Sequence, residues 1–280
     1  MTKDEAYQDF IKRFKLLIAK NPLLVKTTLS NIFTMRLIGN KTHGDLAEIA
    51  IVEFINQYMY DFKSKHVGKD LYRAKEHEED IEVLSELTKI AFPISLKAYG
   101  DGPLQLSTDK NSKLFPYLSK FGKVISSSKE LKEIFQSEAL SEFGNINVMP
   151  LIYREKEKQC NIMLFDHSLA IRNTARIQKE SAGKGRIHPV YRFFDKEDQY
   201  ICEVRYGGVT ANALQRGLWT NTKNATNYFD SATNGWIDYS DNPVLVRLFS
   251  LALVASEKGH EAAQVILQKD IDSLKKQSGL

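Results

Sequence analysis

Two residues in this chain combine types and spacing that could do chemistry, Asp80 and Lys97. Asp80 opens the run DIEVLSEL and Lys97 sits near the end of AFPISLKAY. Both runs are short and rich in β-branched and aromatic residues, so they read as two neighbouring strands. Paired strands would present Asp80 and Lys97 at one edge of a sheet, with Ser95 on the same strand face as Lys97 by the period of two. A carboxylate there can hold Mg²⁺, a hard ion that takes one or two acids, water and substrate phosphate as ligands. A lysine beside it can position an attacking water and neutralise charge growing on a scissile phosphate.

The surrounding elements must supply that edge. Residues 4–20 place Tyr7, Phe10, Ile11, Phe14 and Ile18 at helical spacing, and Asn21-Pro22 closes the pattern. A second helix is expected from Gly44-Asp45 through LAEIAIVEFINQYMYDF, with Leu46, Ile49, Ala50 and Phe54 as one apolar stripe that Ile51 and Ile55 widen. A charged stretch, Lys63 to Asp80, leads into the two strands, which end at the turn Gly100-Asp101-Gly102-Pro103. LQLST follows as a third strand, and Ser128 reads as the N-cap of a helix that Gly144 ends. Two hairpins are then expected, VMPLIYR with CNIMLFDH and RIHPVYRFF with QYICEVRY. Asn212 to Leu218 is a short helix candidate, and Asn242-Pro243 opens a helical region to about Lys276, interrupted near Gly259. The pattern predicts one α/β domain over 1–280: a mixed central sheet flanked by helices, with a C-terminal β-rich and helical elaboration.

With these residues in place, the chain resembles the PD-(D/E)xK nuclease superfamily, type II restriction endonucleases in particular, over roughly residues 44–110. In that family an acid on one strand precedes a (D/E)xK tripeptide on the next, and a Glu on the preceding helix often joins the site. Asp80 matches the first acid, Lys97 the lysine and Glu48 in HGDLAEIA the helical Glu, whereas Ser95 stands where the family usually has an acid. Glu48, Glu82 and Glu53 are available to replace it, and Glu48 is favoured. The resemblance implies a restriction-endonuclease-like fold, with a catalytic core over 1–145 and sheet extension plus DNA-recognition elements over 146–280. It implies a Mg²⁺-dependent, sequence-specific endodeoxyribonuclease of double-stranded DNA, with Asp80 and Glu48 as metal ligands. Lys97 would orient water and phosphate, and Ser95 would hold a hydrogen bond. A cognate DNA methyltransferase is the implied partner, and a homodimer would suit a symmetric site. A non-catalytic DNA-binding protein and a structure-specific repair nuclease of the same fold are the alternatives.

Other chemistries find less support. Glu130-Leu131-Lys132 fits the tripeptide but lies on an amphipathic helix, facing solvent. Glu203-Val204-Arg205 has Arg in place of Lys, and is expected to touch DNA or to pair internally. The six histidines show no HxH or HExxH spacing and read as surface or satisfied core residues. The glycine-rich pieces match neither GxxxxGK[ST] nor GxGxxG, which argues against nucleotide hydrolysis. Cys160 and Cys202 lie in apolar strand-like runs and read as buried free thiols.

Base edges are read by Arg or Lys at guanine and by Asn or Gln at adenine. The stretch RYGGVTANALQRGLWTNTKNATNYF concentrates Arg205, Asn212, Gln215, Arg216, Asn221 and Lys223, and Arg172, Arg176 and Arg186 belong to a basic segment from His167 to Arg216. With Gln105 and Lys110 these are the candidate DNA contacts. The net charge of +4 permits an anionic partner without requiring one. With 42% hydrophobic residues, disorder is excluded. No apolar run approaches the roughly 18 residues of a membrane span, and the acidic MTKDEAYQDF start is unlike a signal peptide, so a cytoplasmic protein is expected.

Overall fold

The computed structural model describes residues 2–38, 43–67, 80–100, 102–107, 109, 113–140, 147–181, 188–206, 216–254 and 260–277. Helix α1 (Lys3–Lys20) begins at a capping box: the Thr2 hydroxyl accepts the Glu5 amide and the Glu5 carboxylate accepts the Thr2 amide. All five of its expected core residues, Tyr7, Phe10, Ile11, Phe14 and Ile18, are buried. A fully buried side chain such as Phe10 contributes about 2 kcal/mol. Asn21-Pro22 ends α1 but also opens helix α2 (Pro22–Ile38), where proline occupies the first helical position, whose N–H has no partner to lose. Helix α3 (His43–Tyr58) buries Ala47, Ile51, Phe54 and Ile55. Ile49 is instead 42% exposed, because it shares the solvent face with Glu53 and Asn56 at helical spacing.

The charged run after α3 contains an edge strand, β1 (Phe62–His66), that buries Phe62 while its lysines lie outside. Lysines suit an unpaired sheet edge, since they discourage pairing with another chain. Strands β2 (Ile81–Ser85) and β3 (Ala91–Gly100) follow, and β1, β2 and β3 are antiparallel neighbours. The chain returns with β6 (Asn147–Arg154), parallel to β3, and β7 (Gln159–Phe165) forms the expected hairpin with it. With β12 (Phe229–Ser231) and β13 (Ile237–Asp238), both antiparallel to β7, this is a seven-stranded mixed sheet. Helices α1–α3 cover one face, sealing a core that includes Phe10, Phe14, Ile55, Ile81, Ile94 and Met149.

The third expected strand, β4 (Pro103–Ser107), leaves this sheet and edges a second one of six strands, in the order β4-β11-β10-β9-β8-β5. Its other members are β5 (Val124–Ile125), β8 (Arg176–Glu180), β9 (Val190–Phe194), β10 (Tyr200–Arg205) and β11 (Gly217–Asn221). Strands β9 and β10 are the second expected hairpin. The helix candidate over Asn212–Leu218 is corrected where it can be seen: Gly217 and Leu218 begin β11, because Leu218, Trp219 and Thr220 pair with β10 and β4. Its first residues lie outside the described ones.

A second core packs this sheet against helices Leu114–Ser119 and Ser128–Gln136 and reaches Tyr99 and Val148 of the mixed sheet. The latter helix has Ser127, not Ser128, at its N-cap, and Gly144 lies outside the described residues. The C-terminal helical region consists of Pro243–Val254 and His260–Gln277, its expected break also lying outside. Among the described residues no helix is long and apolar enough to cross a membrane.

Candidate active site

Asp80 stands at the threshold of β2, and backbone pairing fixes it from both sides. Its carbonyl accepts the Val67 amide at 3.0 Å, just past β1, and its own N–H donates to the Ile94 carbonyl of β3 at 3.3 Å. The carboxylate therefore leans onto β3, where Oδ2 accepts from the Ser95 hydroxyl at 3.0 Å and from the Leu96 amide at 2.7 Å. Lys97 Nζ lies 3.9 Å from the same oxygen, an ion pair beyond hydrogen-bond reach. Alternation along β3 sends Phe92, Ile94 and Leu96 into the helix-covered core and puts Ser95, Lys97 and Tyr99 on the opposite face. Ser95 is 1% exposed, while the Asp80 and Lys97 side chains are half-buried, so the serine anchors and the charged pair stays reachable from solvent. The structure thus brings together Asp80, Ser95 and Lys97.

Glu48 is placed differently. It lies on α3, 9% exposed, and its Oε2 meets His66 Nε2 of β1 at 2.7 Å. A carboxylate among Ala47, Ile51 and Val52 needs such a partner, since burying an unpaired charge is costly. Of the other acids named as substitutes, Glu82 is half-buried on β2 opposite Pro93, and Glu53 is exposed. Among the described residues no group of three or more His, Cys, Asp and Glu side chains forms a metal-binding cluster. Mg²⁺ does not require one, because one or two carboxylates with water and substrate phosphate complete its shell. Asp80 offers one half-buried carboxylate of the kind a hard cation takes, while Glu48 is engaged with His66, which pairs with the core residue Ile81 on the helix-covered face.

The Glu48–His66 pairing has no signal in the sequence. His66 sits in a lysine-rich run without metal-ligand spacing, and only the turn from α3 into β1 makes it a neighbour of Glu48. Burial pushes both thiols up, Cys160 and Cys202 alike, which leaves neither suited to act as a nucleophile. Glu130 and Lys132 lie on the helix after Ser127, with Lys132 exposed, as expected.

Several candidate DNA contacts share one face of the second sheet. Direct cross-strand partners form a row from Gln178 through Arg192, Glu203 and Trp219 to Gln105, on the side away from Ile177, Tyr191, Val204 and Leu218. Arg176 and Arg205 flank the row by alternation. Much of it is internally committed. Glu203 is 2% exposed and accepts from Arg205 Nε at 2.9 Å and from Arg192 Nε at 3.3 Å, and the Arg205 guanidinium lies 3.8 Å from the Trp219 ring centroid. Arg176 stacks on Phe194 and pairs with Asp198 at 2.8 Å. Gln105 Nε2 donates to the Arg216 carbonyl at 3.4 Å, and Asn221 Oδ1 accepts the Lys223 amide at 2.9 Å in a turn. Arg172 is exposed at the end of helix His167–Asn173. Lys110, Arg186, Asn212 and Gln215 lie outside the described residues. Gln178 and Arg192 join this face through pairing register, a signal that residue types alone do not carry.

No family model matches the chain, and neither a curated protein nor a solved structure matches it.

Proposed function

We propose that the protein is a Mg²⁺-dependent, sequence-specific endodeoxyribonuclease of double-stranded DNA, with a restriction-endonuclease-like fold. The observation that carries this reading is the Asp80 carboxylate, held by the Ser95 hydroxyl and the Leu96 amide with the Lys97 ammonium 3.9 Å away, at an edge shared by adjacent strands. The order of elements supports it: a Glu-bearing helix, three antiparallel strands, then a strand parallel to the third. Asp80 is the residue that would hold the cation. When bound, Mg²⁺ supplies Lewis acidity toward the scissile phosphate and lowers the pKa of water. Lys97 orients the attacking water and balances the charge that accumulates on the phosphate, while Ser95 and Leu96 keep the Asp80 carboxylate from rotating. The polar face of the second sheet, with Gln105, Arg176 and Arg205, positions the duplex.

This reading implies a cytoplasmic enzyme, working as a homodimer where the DNA site is symmetric, beside a methyltransferase that protects the same sites. The test is incubation of the full chain with large unmethylated duplexes in Mg²⁺ or EDTA, beside Lys97→Ala. Discrete Mg²⁺-dependent fragments that vanish in the variant are expected. Cleavage that persists in Lys97→Ala would sink the assignment. The polar row across the second sheet favours one further reading, a DNA-binding protein without hydrolysis, which duplex binding with intact DNA in every lane would establish. Cutting at ends or junctions without discrete fragments would mark a structure-specific nuclease.

A further inference from the structure

We infer that Lys123 and Lys179, with Lys120 beside them, form a contact site for the phosphate backbone of duplex DNA at the β5 edge of the second sheet; this rests on double-stranded DNA being the partner, as proposed above. Strand β5 ends that sheet and pairs with β8 through Val124 opposite Gln178 and Ile125 opposite Ile177. One step on, the Lys179 amide donates to the Lys123 carbonyl at 2.7 Å, so the two lysines stand opposite each other where the ladder stops. Like charges set directly across a ladder destabilise it. A lysine on an edge strand discourages pairing with another chain, which explains Lys123. It does not explain Lys179, which lies one strand in and faces it.

The local structure holds these ammonium groups without neutralising them. Lys179 Nζ lies 5.2 Å from the Phe115 ring centroid and 5.8 Å from that of Tyr191, within cation–π range of both. Tyr191 in turn donates its hydroxyl to the Gly122 carbonyl at 2.9 Å, tying down the turn between helix Leu114–Ser119 and β5. Gly122 takes φ +103 there, a conformation that glycine adopts without strain. The turn carries Lys120 and Lys123, both exposed, with Lys120 Nζ 5.7 Å from the Tyr117 ring centroid. Glu180 follows Lys179 but pairs with Arg192 at 2.6 Å, on the opposite face of β8. Among the described residues no carboxylate forms an ion pair with Lys120, Lys123 or Lys179. A linear polyanion fits such a row: DNA carries one phosphate per roughly 3.4 Å of axis on each strand, so side chains whose Cβ atoms are about 5 Å apart can meet successive phosphates.

The experiment is fluorescence anisotropy of a labelled duplex titrated with the full chain in EDTA, over a series of KCl concentrations, for wild type, Lys123→Gln, Lys179→Gln, the double variant and Lys123→Glu, with urea unfolding of each. Each lysine that meets a phosphate adds about 0.9 to the slope of log K against log salt. Each single glutamine variant should therefore lower the slope by about 1 and the double variant by about 2, with equal loss of affinity on unrelated sequences. Lys123→Glu should weaken binding further yet raise the urea midpoint, because opposite charges then face each other across the ladder. Should Lys179→Gln not fold, the two Lys123 variants carry the same test. An unchanged slope in the folded double variant overturns the inference and leaves the nuclease reading intact, as does Lys123→Glu binding like wild type. Loss confined to one sequence would make the lysines readers of bases and also overturns it. The expected slopes without any cleavage in Mg²⁺ would uphold this site while removing the nuclease reading, and a wild type that binds no duplex overturns both.

Discussion

At the scale of single residues, the position that departs from the nuclease pattern is the one the structure explains best. Ser95 stands where an acid would be expected, and it is buried with its hydroxyl on Asp80 Oδ2. A second carboxylate there would press against the first, whereas a hydroxyl neutralises nothing and holds it in place. Ser95→Ala is expected to cost about 1 kcal/mol of stability, the weight of one hydrogen bond, measurable by urea unfolding. On the proposed nuclease reading it should also lower Mg²⁺-dependent cleavage by loosening Asp80, with Lys97 untouched. Retained stability together with retained cleavage would show that the Leu96 amide alone suffices to orient the carboxylate. Asp80 and Lys97 were legible in sequence because acid, apolar strand and lysine follow one another in a local pattern. His66 was not, since its partner is a helix residue and a lone histidine carries no spacing to read.

At the scale of elements, legibility follows how each segment is stabilised. Helix α1 could be read because all five of its periodic residues enter one core. Helix α2 is hard to read because Asn21-Pro22 looks like the end of α1, although proline is equally suited to begin a helix. Strand β1 was hidden among lysines, which its edge position tolerates on one side while Phe62 anchors the other. Strand β4 was recognised as a strand, but its partner was not, because pairing with β11 is decided far along the chain. The second sheet also contains a buried charge, Glu203, between Arg192 and Arg205. Glu203→Ala should destabilise by on the order of 3 kcal/mol, because it leaves two guanidinium groups without their buried counter-charge. Denaturant unfolding checks this, and a change within experimental error would mean that Glu180 and solvent compensate for the lost partner.

At the scale of the whole molecule, two cores meet across the mixed sheet, and stability as a function of pH reports on their junction. His167 follows β7 and packs near Phe165, a residue of the second core. Burial pushes its imidazole down to about 4, partly offset by the Asp166 carboxylate. A depressed histidine is neutral in the native state, so between its unfolded value of about 6.5 and 4 the unfolded chain binds a proton that the native chain refuses. Stability contributed by His167 is therefore complete above about pH 6.5 and declines as pH falls toward 4. Thermal unfolding in steps across that window should show a shallower decline for His167→Gln than for wild type; parallel curves would assign the acid sensitivity to other groups. The excursion of β4 has a kinetic corollary as well. Hairpins β6–β7 and β9–β10 join strands close in sequence, but β4 must wait for β11, with Leu104 set against Thr220. Contacts between distant segments form slowly, since loop closure comes before any gain. Trp219 lies on β11 and is 5% exposed, whereas Trp236 is 37% exposed. In a Trp236→Phe background, refolding should therefore show indole fluorescence changing after the far-ultraviolet dichroism has recovered, which would make Trp219 a clock for the moment the second sheet closes.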